Sequence, residues 1–239
     1  MGKKEELRAK RKQAQRQTTM TWALIISGIV IVIAALVIIR TQASISGLVV
    51  PEFFDYSMAD GSGLGDPNAP VRIEEFSDFQ CPACNQFHDV TLSQIIDTYV
   101  TTGQVYFVYR NFPILDSAGR TESRDAANAV YCAADQGRFF EFHDMLYANR
   151  IGEGAGSFTT ARLEAMAEQL GLDKSFNDCS RDIRYADRVV ADTAAALEAG
   201  FNSTPSFLVN GQPLIGAQPF SAFVPVIEAA LEAAGSNSP

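Results

Sequence analysis

Beyond residue 40 this chain is short of positive charge. Of its 19 Lys/Arg and 28 Asp/Glu, the first 40 residues hold eight basic and two acidic ones, leaving 11 basic against 26 acidic, a balance of −15, for the remainder. That balance argues against a nucleic-acid partner, because binding phosphate requires Lys and Arg to displace its counterions. Histidine is scarcer still, with His88 and His143 the only two. Neither Cys132 nor Cys179 has a close Cys or His partner in ribbon spacing, which weighs against a structural zinc site. Gly61-Ser62-Gly63-Leu64-Gly65 lacks a following Lys-Ser/Thr and a preceding strand, so it is not a phosphate loop. No internal repeat is present.

What the chain does contain is enough for one well-filled core. Its 239 residues are 47% hydrophobic and 20% charged, a composition that argues for one globular domain and against wholesale disorder. Ahead of that domain, Trp22 to Ile39 is a run of 18 residues without a charge. As a helix it would extend about 27 Å, close to the hydrocarbon thickness of a bilayer. Lys3, Lys4, Arg8, Lys10, Arg11, Lys12 and Arg16 precede it, so the positive-inside rule places residues 1–21 in the cytoplasm and the bulk of the chain outside. Trp22 and Arg40 suit the two interfaces. A cleaved leader shares this layout, but the run is long for one and Thr41-Gln42-Ala43 is its only weak cleavage site. The expectation is an uncleaved single-pass anchor at 22–39 that contacts membrane lipid.

Residues 40–65, with glycines, Pro51 and few periodic apolar positions, read as a linker. Val71 to Phe76 reads as a strand that puts Val71, Ile73 and Glu75 on one face, an acid among apolar neighbours. A register in which Glu74 and Glu75 both meet water at an edge is the alternative. A helix follows from about Pro82 to Tyr99, with Phe87, Val90, Ile95 and Ile96 as candidate buried positions. Val105 to Tyr109 is a second strand, and residues 117–200 are a helical block rich in alanine. Phe207-Leu208-Val209, the turn Asn210-Gly211 and Pro213-Leu214-Ile215 form a hairpin. Phe220 to Ala234 closes as an amphipathic helix before the polar tail 235–239.

Cys81-Pro82-Ala83-Cys84 is the stretch that carries chemistry, since two thiols at this spacing either close a disulfide or share a metal. Pro82 fits a first helical turn, which sets Cys81 at the helix N-terminus. Unpaired N–H groups and the positive end of the dipole there favour a thiolate. Such a cysteine is a good nucleophile and a good leaving group, while Cys84, one turn in, is the more buried resolving thiol. His88 follows Cys84 by four residues on the same face; it reads as near the surface, with reach to a metal as the lesser alternative. His143, in an aromatic helix, reads as a packing residue.

Four blocks carry a family resemblance: Glu75-Phe76-Ser77-Asp78-Phe79-Gln80-Cys81-Pro82-Ala83-Cys84, Tyr109-Arg110-Asn111-Phe112-Pro113, Gln136-Gly137-Arg138-Phe139-Phe140-Glu141-Phe142-His143-Asp144, and Ser203-Thr204-Pro205-Ser206-Phe207-Leu208-Val209-Asn210-Gly211. Over about residues 66–234 the chain resembles DsbA-type thiol:disulfide oxidoreductases of the thioredoxin superfamily. The resemblance implies an α/β thioredoxin fold in two parts, 66–116 and 201–234, with an inserted helical domain at 117–200. It implies a cis Thr204-Pro205 peptide facing the cysteines, where substrate backbone docks, and Glu75 as a buried acid relaying a proton to Cys84. The chain departs from the best-known member in its Pro82-Ala83 dipeptide, which replaces a Pro-His. Cys132 and Cys179 both fall in the inserted block, which suggests a structural disulfide between them.

Together these readings point to a membrane-tethered, extracytoplasmic oxidoreductase that introduces disulfides into exported proteins carrying free thiols. No metal and no dissociable cofactor is expected beyond the redox-active Cys81–Cys84 pair. The resemblance further implies a quinone-linked membrane oxidase of the DsbB or vitamin-K-epoxide-reductase kind as re-oxidant. A reductase or isomerase of the same fold is the alternative within the class, and a non-catalytic binder or chaperone for exported chains the alternative outside it.

Overall fold

The computed structural model describes residue 2 and residues 19–36 and 47–236. The basic residues Lys3 to Arg16, residues 37–39 of the expected span, Arg40, and positions 237–239 of the tail lie outside the described residues. The chain divides into two units, Met1–Gly47 and Leu48–Pro239. In the first, Thr19–Leu36 (α1) is a helix with a mean hydropathy of 2.3, long and apolar enough to cross a membrane. Every described side chain along it is exposed, as expected of an apolar helix that supplies no face to a protein core.

The second unit is built on a six-stranded sheet in the order β1-β2-β4-β3-β5-β6. Its strands are Ala59–Asp60 (β1), Gly63–Leu64 (β2), Val71–Ser77 (β3), Val105–Asn111 (β4), Ser206–Val209 (β5) and Gln212–Ile215 (β6). β3 and β4 run parallel, joined by a helix over residues 82–100 (α2), and every other pairing is antiparallel. Between β4 and β5 lie helices Glu122–Ala134 (α3), Phe139–Ala148 (α4), Thr160–Gln169 (α5), Lys174–Arg181 (α6) and Ala186–Glu198 (α7), and Phe220–Ser236 (α8) closes the chain. A Cys132–Cys179 disulfide ties α3 to α6. At the β5–β6 hairpin Asn210 and Gly211 both take positive φ, 47° and 84°, the conformation a two-residue turn of this type demands.

β3 sits at the centre of the sheet because both its faces are covered. Val71, Ile73 and Glu75 point to one side and are buried, and Phe76 and Ser77 at the carboxyl end are buried as well. On one face Phe87 of α2, Phe207 of β5 and Phe223 of α8 meet with ring centroids 4.6 to 5.6 Å apart. This cluster fixes where α2 starts relative to the strand before it. At the other side, Arg110 of β4 pairs with Glu74 at 2.6 Å and with Asp192 of α7 at 3.2 Å, which fastens the helical block to the sheet.

Two expectations need correction. Residues 40–65 are not a linker throughout. Val49 exchanges hydrogen bonds with Asn149, Tyr56 stacks on Phe140, and Gly63 and Leu64 pair with Val108 and Phe107 of β4. The glycines there serve geometry rather than flexibility: Gly65, at φ 99°, lies where a Cβ would come within 2.9 Å of the Val105 carbonyl. Val90, expected in the core, is 55% exposed. α2 is wound in the wider i→i+5 pattern over His88–Leu92 and Ile96–Val100. That winding brings Thr91 and Leu92, rather than Val90, onto the face continued by Ile95, Ile96, Tyr99 and Val100.

Candidate active site

The carboxyl end of β3 turns through Asp78 and Gln80 into the first residue before α2, Cys81. Its N–H donates to the Asp78 carbonyl at 2.9 Å and its carbonyl accepts from Asn85 N at 3.1 Å, so the helix begins here. Cys81 is extended, with φ −72° and ψ 123°, and Pro82 occupies the first turn, where its missing N–H costs nothing. Cys81 and Cys84 are free thiols, 7% and 0% exposed. The Cys81 thiol lies 3.4 Å from the carbonyl oxygen of Thr204, which precedes Pro205 through a cis peptide. The sequence-predicted Thr204 thus lies against Cys81, and Pro205 follows it through the cis peptide.

The two thiols are pushed apart in acidity. A hydrogen bond from the Cys84 thiol lowers Cys81 most; burial opposes it, and Thr204 and the N–H groups of Cys84 and Ala83 assist, bringing it to about 5. Cys84 is raised, by burial first and then by its neighbour Cys81. Glu75, 1% exposed, is the acid beneath them, and burial pushes it up to about 8 against the opposing influence of the Ser77 hydroxyl and His88. Its Oε2 has no hydrogen-bond partner. A carboxyl group poised between two protonation states, next to a buried thiol that must gain and lose a proton, is chemically suited to exchange that proton.

The thioredoxin family model matches residues 58–229. The chain belongs to the thioredoxin family. It is 30% identical over 165 residues to a probable disulfide bond formation protein D of Bacillus cereus, a match that covers 67% of this chain and 74% of that one. It is 35% identical over 149 residues to the Na(+)/H(+) antiporter NhaA 3 of Salinispora tropica, but there the match spans only 21% of the relative. Among solved structures, oxidised BdbD from Bacillus subtilis superposes with a TM-score of 0.65 at 23% identity, over 74% of this chain and 95% of that one.

Around this thioredoxin-family pair the structure adds residues that sequence reasoning left out. Asp78, 2% exposed, accepts from Gln80 N at 2.8 Å, Ser123 Oγ at 2.7 Å and Leu115 N at 3.0 Å. Gln80 in turn donates to Ser123 Oγ and accepts from Gly154 N, and its carbonyl accepts from Arg150 Nε at 2.7 Å. The turn carrying Cys81 is therefore pinned to α3 and to the loop after α4. Asp78 and Gln80 lay within the first family block, so their positions were legible there although their roles were not. On the inner side, Ser77 Oγ lies 3.0 Å from Tyr147 OH, which lies 3.3 Å from Tyr109 OH.

The histidines divide. His143 is fully buried among Phe79, Tyr109, Phe140 and Tyr147, a packing position. His88, expected near the surface, is partly exposed, at 14% of its side chain, and is bonded both to the exposed Asp89 and to the buried Asp144. Ligand atoms of His88, His143 and Asp144 lie within 4.8 Å of one another, yet each ring nitrogen turned toward Asp144 is held by it in a hydrogen bond. Cys132 and Cys179, joined on α3 and α6, are remote in sequence and element from the Cys81 turn.

Proposed function

We propose that this chain is a membrane-tethered, extracytoplasmic thiol:disulfide oxidoreductase that introduces disulfides into exported proteins. The observation that carries this reading is the pair of thiols at one helix start, Cys81 at its first turn and Cys84 buried behind it, with the Thr204 carbonyl of the cis Thr204-Pro205 peptide 3.4 Å from the Cys81 sulfur. A Cys81 held as thiolate makes the reduced pair stable and its disulfide correspondingly oxidising.

With the pair oxidised, a client thiolate attacks the Cys81 sulfur. The Cys81–Cys84 bond breaks, a client–Cys81 mixed disulfide forms, and Cys84 departs as a thiolate that takes a proton from Glu75. A second client thiolate then attacks the client sulfur of the mixed disulfide, and Cys81 leaves as the stabilised thiolate. The client gains one disulfide and the pair holds two electrons. Pro205 lacks an N–H, and the neighbouring backbone groups are suited to align an extended client chain. A quinone-linked membrane oxidase of the DsbB or vitamin-K-epoxide-reductase kind is the proposed acceptor of those electrons. The helix Thr19–Leu36 supports tethering, and the basic residues before it support a cytoplasmic N-terminus.

Equilibration with reduced and oxidised glutathione tests the direction of the reaction. The oxidase reading expects a couple well above the potential of thioredoxin, about −270 mV; a value at or below that figure overturns it in favour of a reductase. Cys81→Ser abolishes exchange if the pair is catalytic, and leaves activity intact if the domain is only a binder.

A further inference from the structure

Both ring nitrogens of His88 face carboxylates. Nδ1 lies 2.8 Å from Asp89 Oδ1 and Nε2 lies 2.9 Å from Asp144 Oδ1. An ionised carboxylate only accepts, so a ring bonded at both nitrogens carries both protons and a positive charge. Burial opposes ionisation of Asp144, but hydrogen bonds from His143 and His88 outweigh it and hold the carboxyl below its usual range. His88 and His143 Nδ1 both donate to its Oδ1, and Tyr56 donates to its Oδ2 at 2.7 Å. His143, with its proton committed at Nδ1, is left neutral, its Nε2 buried without a partner. The single imidazolium of this cluster is therefore His88, shielded from solvent at 14% exposure.

Tyr147 and Ser77 connect that charge to the face of β3 that carries Glu75. The Tyr147 ring packs 4.8 Å from the His88 ring, and its hydroxyl lies 3.0 Å from Ser77 Oγ; Ser77, two residues after Glu75 on β3, shares the buried inner face with it. The polar groups that bear on Glu75 are Cys81 and Cys84 at the start of α2, Ser77 of β3, Tyr109 of β4, Tyr147 of α4 and His88 of α2. On its β5 side the paired residue is Phe207, which is apolar. Within that set His88 alone is a cation, and the Pro82-Ala83 dipeptide contributes none.

We infer that His88 is a positioning residue for exchange at Cys81 and Cys84: its ring, fixed between Asp89 and Asp144 and packed on Tyr147, holds a positive charge against the Tyr147–Ser77 network that shares the inner face of β3 with Glu75, the group proposed to exchange the Cys84 proton. This rests on the reading of the pair as an exchange site. Burial of His88 would lower its pKa, but Asp144 and Asp89 outweigh that and raise it to about 9, so the charge persists across the neutral range. The same charge opposes the burial that pushes Glu75 up.

The test compares wild type, His88→Gln and His88→Lys in the full chain in detergent. The protonation midpoint of Glu75 is read from its carboxyl infrared band, assigned by subtraction of Glu75→Gln, alongside the pH profile of exchange with oxidised glutathione. His88→Gln is expected to raise the Glu75 midpoint by about one unit, the low end for a nearby opposite charge, and to carry the pH profile with it. His88→Lys is expected to restore both. An unmoved midpoint in His88→Gln overturns the inference. So does a nitrogen-15 spectrum of the wild type showing an unprotonated ring nitrogen on His88 at pH 7, a measurement that needs no variant to fold. Failure of the wild type to exchange strikes instead at the proposed function, while the infrared midpoint still decides the role of His88.

Discussion

The Cys81 sulfur lies 3.4 Å from the Thr204 carbonyl oxygen, a contact that closes 123 positions of sequence. It places the residue before Pro205 against the nucleophile, and the Thr204 side chain also lowers the Cys81 pKa by hydrogen bonding. Thr204→Val keeps the shape and removes the hydroxyl. The expected result is a Cys81 pKa higher by about one unit, the worth of one hydrogen bond to an anion, and a less oxidising disulfide. Thiolate absorbance followed against pH measures the first and glutathione equilibration the second. No change in either would mean that the Thr204 side chain does not hold the thiolate.

Cys81 ionises near pH 5 in the folded reduced protein but near its ordinary 9.0 once unfolded. Its contribution to the stability of the reduced form is therefore complete above pH 9, shrinks as pH falls, and is gone below about 5. The raised Cys84 acts with opposite sign, but only above its ordinary 9.0. The Cys81 thiolate, present only in the reduced form, pushes Glu75 up further, which offsets part of the Cys81 contribution. Denaturant unfolding of reduced and oxidised protein should accordingly show the reduced form gaining on the oxidised form from pH 5 to pH 8. A constant difference across that range would remove the stabilised thiolate from the account.

Glu75→Gln separates the cost of the buried acid from its use. Glu75 is raised to about 8 from an ordinary 4.5 by burial, so ionising it destabilises the fold increasingly as pH rises through that interval. The amide never ionises. Glu75→Gln is expected to be more stable than wild type at pH 8, with the advantage fading by pH 5, while thiol exchange slows on the order of a hundredfold, the low end for loss of a positioned proton donor. Unfolding midpoints at the two pH values and stopped-flow exchange rates check both halves.

Much of this site was legible in the chain before its structure. Helix-start chemistry follows from Pro82 after Cys81; alternation in Val71, Ile73 and Glu75 allows an acid on the inner face of β3 but leaves an edge register open, and the family resemblance is what implies its burial. The inner network was not legible, because it is assembled from separate elements: Tyr109 from β4, Tyr147 and Asp144 from α4, and Tyr56 from the segment before β1. A histidine four places after Cys84 reads as near the surface, and that spacing gives no sign of Asp144, 56 positions away and 2.9 Å from its ring. Residue type also misled. Glycines at 61–65 read as flexible until their φ angles and the pairing of Gly63 and Leu64 with β4 show a strand edge. Val90 was misplaced because helical periodicity assumes 3.6 residues per turn, and α2 is wound more widely.

The Cys132–Cys179 bond is expected to matter for stability and not for exchange. It closes a separation of 47 residues, which the chain-entropy model values at about 4 kcal/mol at most. α6 depends on it, since Phe176, packed 5.0 Å from Phe142, is the other buried side chain of that helix. The contacts that pin the Cys81 turn run through Ser123, at the opposite end of α3 from Cys132, and through Arg150 and Gly154 in the loop after α4. Replacing Cys132 and Cys179 together by serine should therefore lower unfolding free energy by about 2 to 4 kcal/mol while leaving the glutathione equilibrium of Cys81 and Cys84 unchanged. A shift in that equilibrium with little loss of stability would count against a purely structural role for the second disulfide.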